Sequence, residues 1–171
     1  MTSQHEDLLK AARVDLIARK VGFALWQLQE LEVSAAQCLI LFTKARSGIS
    51  PSAGQVLIEK AQRKTFGRTV SDLLKTKQMS QAVELRFKRL LFERNWLVHQ
   101  SRSTSRDAVH HEQACERLVE RLESIAQEAL LLLREVADRV EVFVRRYSIT
   151  PEQVEKLSAE ILKKWHSGNF I

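Results

Sequence analysis

Glycine and proline are scarce in this chain: five glycines and two prolines among 171 residues. That excludes collagen-like and loop-rich architectures and favours long helices joined by short turns. There are only two cysteines, Cys38 and Cys115, in separate helical patterns without CxxC spacing. A disulfide framework and a zinc ribbon are therefore not expected, and both thiols read as small core residues in a reducing compartment. Charged residues interrupt every apolar run, so no segment is expected to span a bilayer. The opening MTSQHEDLLK has acids where a secretory signal needs basic residues followed by an apolar stretch. A cytoplasmic protein is the expectation. The sequence also has no phosphate-cradling glycine loop, no catalytic triad and no zinc motif, and no metal or cofactor is predicted.

What the chain does have is helix-forming composition and an uneven distribution of charge. Hydrophobic residues make up 44%, enough for one domain over 1–171 to bury a core. The net charge of +6 is concentrated: residues 1–43 balance at −1, residues 44–106 at +10 and residues 107–171 at −3. A basic block of that kind suits a polyanion, with RNA or DNA the commonest.

Periodicity predicts an all-α fold. In a first helix, from about Glu6 to Arg46 with a bend expected near Gly22, Val21, Ala24, Leu25, Leu28, Leu31, Ala35, Leu39 and Phe42 share one face. Glu32 falls on that apolar face. SGISPSAG breaks the pattern, and shorter helices follow from Pro51 to about Lys64 and within RKTFGRTVSDLLKT. Ser80 is placed to cap the next helix. The polar segment QSRSTSRD reads as a loop. From about His110 to Tyr147, Leu118, Leu122, Ile125, Ala129, Leu132, Val136, Val140, Phe143 and Tyr147 alternate at three and four, the seam of a long bundle helix. Thr150 and Pro151 open a final helix to about Trp165. The expected architecture is a bundle of about five helices, with the two long ones antiparallel.

The helix after Ser80 ends in RNWLVH, Arg94 to His99. Val83, Phe87, Leu90, Leu91, Leu97 and Val98 lie within about 60° of Arg94 around a regular helix. Arg94 therefore sits in an apolar stripe, where an unpaired charge is costly. Glu32, the misplaced acid of the first helix, is the candidate partner. The opposite side carries Leu85, Phe92, Trp96 and His99, so this helix is apolar on two sides and suits a bundle centre or a dimer interface. Asn95 and His99 are one turn apart, and Asn95 is able to fix the imidazole tautomer of a proton-transferring histidine.

In Arg94-Asn95-Trp96-Leu97-Val98-His99 the chain resembles the HEPN superfamily, small all-α domains with an Arg followed at four to six residues by a His and preferring a polar residue directly after the Arg. A second pair, Arg106 and His111, has Asp107 after the Arg and lies in the polar segment. The resemblance implies a metal-independent endoribonuclease acting as a homodimer, with the two motifs lining one cleft. It assigns Arg94 to phosphate charge and His99 to proton transfer during attack by the 2′-hydroxyl. It also implies a toxin or defence role, with an antitoxin or regulatory protein as partner. In the subset paired with a nucleotidyltransferase antitoxin, a Tyr follows two residues after the His; here Ser101 stands there.

Arg102 and Arg106 are further candidates for RNA phosphates, and Lys64 and Arg68 around TFG extend that list. His110 and His111 have no carboxylate or Cys at ligand spacing and read as helix-boundary residues. Trp96 is expected to pack in the core or an interface rather than stack a base. A non-catalytic helical module binding RNA, a nucleotide or a protein is the alternative reading.

Overall fold

The computed structural model describes residues 2–44 and 51–146, with residues 159 and 163. Six helices are described: α1 (Thr2–Lys44), α2 (Pro51–Gln62), α3 (Phe66–Lys75), α4 (Gln81–His99), α5 (Ser101–His110) and α6 (Glu112–Arg146). No strand occurs among the described residues, so the chain is all-α; the described residues alone already hold six helices, against an expectation of about five. α1 passes Gly22 without interruption. The helix expected from Thr150 to Trp165 lies outside the described residues apart from residues 159 and 163, both helical.

The core forms where the apolar periods converge. Ala24, Leu28, Leu31, Ala35 and Leu39 of α1 are buried against Leu118, Leu122, Ile125, Ala129, Leu132 and Val136 of α6. Each large side chain removed from water in this way contributes about 1.5–3 kcal/mol. α3 adds Phe66, Val70 and Leu73, and α4 adds Val83, Phe87, Leu90 and Leu97. The hydroxyl of Ser80 accepts from the backbone N–H of Val83, which fixes the start of α4.

The two long helices run parallel, not antiparallel as expected. Lys20 pairs with Glu123 at 2.6 Å, and the rings of Phe42 and Phe143 lie 5.0 Å apart, so residue numbers rise together along α1 and α6. The chain reverses through α4, which is antiparallel to α6, and the second reversal restores the direction of α1.

α5 is the other correction, because QSRSTSRD is helical rather than a loop. Its hydroxyls fold back onto the chain: Ser101 donates to the Leu97 carbonyl at 2.6 Å, Ser103 to Gln100 at 2.9 Å and Ser105 to Ser101 at 2.8 Å. That back-bonding removes the usual competition between serine and helical backbone. Ala108 is fully buried and Val109 packs against the core, so tertiary contact overrides the weak local propensity.

Two reciprocal ion pairs clasp α4 to α6. Arg86 meets both oxygens of Glu128 at 2.7 and 3.2 Å, and Arg121 meets both oxygens of Glu93 at the same two distances. Each helix thus presents an Arg and a Glu seven residues apart, and the antiparallel register matches them. The Arg121 guanidinium also lies 3.5 Å from the centroid of Trp96. A bidentate pair of intermediate exposure contributes about 1 kcal/mol. In urea denaturation, a double-mutant cycle over Glu93→Gln and Arg121→Gln should return about that coupling; additive losses would contradict the clasp.

Candidate functional site

The RNWLVH segment occupies the last turns of α4, which ends at His99 with Gln100 as its C-cap. His99 and Asn95 are exposed, while Trp96 and Leu97 are buried. The buried pair holds the terminal turn of α4, and the Trp96 ring, stacked beneath Arg121, is not offered as a stacking platform for a base. α5 begins directly after this turn, so His99 sits at a helix junction.

Arg94 is half-buried on the flank facing α1 and α3. Its Nη1 donates to Asn95 Oδ1 in a long contact of 3.5 Å. Glu32 lies within electrostatic reach of Arg94 and accepts from the backbone N–H of Phe66, the first residue of α3. No ion pair within 4 Å joins Glu32 to Arg94 among the described residues. The misplaced acid of α1 therefore serves two neighbours: a donor otherwise unpaired at the start of α3, and a cation projecting from α4. Partial burial pushes the Glu32 carboxyl above the usual carboxylate range, opposed by Arg94 and by the Phe66 N–H.

That direction sets a pH dependence. A raised folded-state value means that the folded chain holds the Glu32 proton more tightly than the unfolded chain. Stability from this group is fully present at low pH and falls as pH rises from the unfolded value through the raised folded one. Glu32→Gln cannot ionise, so its melting temperature should gain on wild type across that rise and then level off. A difference constant with pH would contradict the assignment.

The other basic candidates separate into two groups. Lys64 and Arg68 flank the start of α3, and both engage Asp72, at 3.1 and 3.4 Å, which Lys75 also meets at 3.3 Å. The hydrogen bond from Lys64, then that from Lys75, draws the Asp72 carboxyl below its ordinary range. One carboxylate thus gathers three cations, leaving a local positive excess at α3. α3 packs against α4 here, with Leu91 Cδ2 4.0 Å from the position of a Cβ on Gly67. Arg102 and Arg106 lie one turn apart on α5, and both are exposed. They follow His99 in the chain.

His111 caps α5 at its C-terminal end, and its Nε2 lies 3.5 Å from Asp107. No group of three or more His, Cys, Asp or Glu able to hold a metal ion occurs among the described residues. Both cysteines are buried and free, and burial pushes the Cys38 thiol up to about 12, which makes it a poor nucleophile. No helix among the described residues is long and apolar enough to cross a membrane.

Sequence reading missed the clasp residues Arg86, Glu93, Arg121 and Glu128. The signal was present as Arg-x6-Glu in both RFKRLLFE and RLESIAQE, complementary only when the helices run in opposite directions. Comparison of the chain with protein-family models, with curated proteins and with solved structures gives no match.

Proposed function

We propose that the chain is a metal-independent endoribonuclease of HEPN type, acting as a homodimer with RNWLVH as its catalytic segment. The observation that carries this reading is the position of His99. It stands exposed at the end of α4, one turn from exposed Asn95, in a helix whose buried residues fix the turn. A histidine sealed in the core would have no access to substrate.

In this reading the 2′-hydroxyl of RNA attacks the adjacent phosphorus and the 5′-oxygen of the next nucleotide leaves. The products are a 2′,3′-cyclic phosphate and a 5′-hydroxyl. The 2′-hydroxyl loses its proton and the leaving oxygen gains one, so no water or metal is consumed. His99 serves the proton transfer, Asn95 holds its imidazole, and Arg94 neutralises charge on the phosphate. Glu32 limits the directions open to the Arg94 side chain. Arg102, Arg106 and the cations around Asp72 supply sequence-independent attraction for the backbone. A toxin or defence role, with a regulatory protein as partner, is the setting such an activity suits.

The test is cleavage of single-stranded and structured RNA in EDTA by wild type, Arg94→Ala and His99→Ala. Cutting by wild type alone supports the proposal. Equal cutting by all three, or by none, overturns it.

A further inference from the structure

The outer side of α4 carries an aromatic ring that its own chain leaves uncovered. Phe92 is 70% exposed, in a helix whose opposite side is core. Lys88, Phe92, Asn95 and His99 fall within an arc of about 60° around a regular helix, and all four are exposed. At about 1.5 Å per residue, Phe92 and His99 stand about 10 Å apart along the axis. That is about three nucleotides of a stacked strand, at about 3.4 Å each. A strand lying along this face towards His99 passes over the Phe92 ring.

The ring stands at the edge of a groove of ≈ 960 Å³ between α4 and α6. The floor of the groove offers little apolar surface, since Leu90 and Ile125 are 1% and 2% exposed. Leu85 and Phe92 are the large apolar side chains it leaves open. A partner helix docks a row of apolar anchors into a hydrophobic groove, which two side chains on one wall do not provide. The walls are polar instead. Arg86–Glu128 and Glu93–Arg121 neutralise each other, and Lys88 pairs with Glu84 at 2.7 Å. Arg89, also in the lining, is exposed and makes no ion pair among the described residues. The groove thus keeps a cation without a counter-charge. Ser124 and Gln127 line it from α6 with a hydroxyl and an amide, groups able to hydrogen-bond base edges. An open ring beside such cations and polar groups suits a single nucleic-acid strand, whose bases stack on the ring while phosphates meet the cations.

We infer that the α4–α6 groove binds single-stranded RNA, with an unpaired base stacked on Phe92 and a phosphate at Arg89. The inference rests on the nuclease reading proposed above, because His99 gives the strand its destination, and it narrows the substrate to unpaired RNA. In a duplex each base is covered on both faces by its neighbours, and the Phe92 ring meets none of them. Phe92 is then a positioning residue: it touches substrate about three nucleotides from the reacting phosphate.

The test is fluorescence anisotropy of the full chain with a labelled 2′-O-methyl oligoadenosine of about 12 nucleotides, within the length such grooves hold. This probe has no 2′-hydroxyl to attack, so it reads binding apart from cleavage. Wild type is expected to bind it, and a duplex of the same length more weakly. Phe92→Ala should weaken binding by about 5- to 150-fold, the range for one lost stacked base. Its helical circular dichroism should be unchanged, because the ring is already in water. Phe92→Trp should bind at least as tightly as wild type, and Phe92→Leu as weakly as Phe92→Ala, which separates stacking from apolar contact. Arg89→Ala should lower the slope of log affinity against log salt by about 0.7, one phosphate on a single strand. Four results overturn the groove: no binding by wild type, equal affinity for the duplex, wild-type binding by Phe92→Ala or Phe92→Leu, or polyglutamate bound as tightly as the oligonucleotide. Binding lost in Phe92→Ala while unmodified RNA stays intact would support the groove and overturn the nuclease reading. Cleavage by a chain whose Phe92→Ala variant binds the probe unchanged would overturn the groove alone.

Discussion

Replacing His99 with Ala is expected to lower the rate of RNA cleavage by about 10²–10⁴-fold, the range for loss of a positioned general acid or base. The variant should fold as wild type does, because the His99 side chain is exposed and no core residue depends on it. Arg94→Ala should cost a comparable factor for a different reason. It removes a charge from the phosphate in the transition state, where one lost electrostatic contact is worth about 10²–10³-fold. The two variants separate in stability. Arg94 sits half-buried opposite Glu32, so truncating it leaves a partly desolvated carboxylate without its cation, and Arg94→Ala should also melt lower. Adding Glu32→Gln to Arg94→Ala should restore part of that loss without restoring cleavage. Chain melting and cleavage kinetics on the same preparations read both effects.

Phe87→Ala is expected to destabilise the fold by about 3–5 kcal/mol, the cost of removing a fully buried aromatic from a packed core. Phe87 has no exposed surface and belongs to the cluster joining α1, α3, α4 and α6. For a chain of this length the change lowers the melting temperature by on the order of 10 °C. Phe92→Ala, five residues further along the same helix, should change the stability of the isolated chain by less than about 0.5 kcal/mol, because that ring is already in water. The pair thus tests which side of α4 faces the core. Equal losses would mean that both sides are buried.

The contrast between these phenylalanines shows how much of the fold the sequence carried. Three- and four-residue spacing marked Val83, Phe87 and Leu90 as one stripe and Leu85 and Phe92 as another, but periodicity does not say which stripe finds a partner within the chain. Burial answers that. Periodicity is also blind to direction, which is why the seam of α6 was legible while its parallel run beside α1 was not. α5 was hidden because Ser101, Ser103 and Ser105 are turn formers by composition. Their helix depends on hydroxyls bonded back to Leu97, Gln100 and Ser101 and on the burial of Ala108. At the candidate site, Glu32 stood out on an apolar face, and the structure sets it within electrostatic reach of Arg94. Its bond to the start of α3 depends on a loop return that no local pattern encodes. The clasps were legible only as a pair, since neither Arg-x6-Glu has meaning until the other is set against it.

Whether RNWLVH cuts RNA without a metal is read from the chemical ends of the products. Wild-type protein should be incubated with a defined RNA in EDTA and the fragments analysed by mass spectrometry, with His99→Ala run in parallel. Fragments ending in 2′,3′-cyclic phosphate and beginning with 5′-hydroxyl are expected from wild type, and intact RNA from the variant. Intact RNA with wild type, or the same fragments from both proteins, would contradict it.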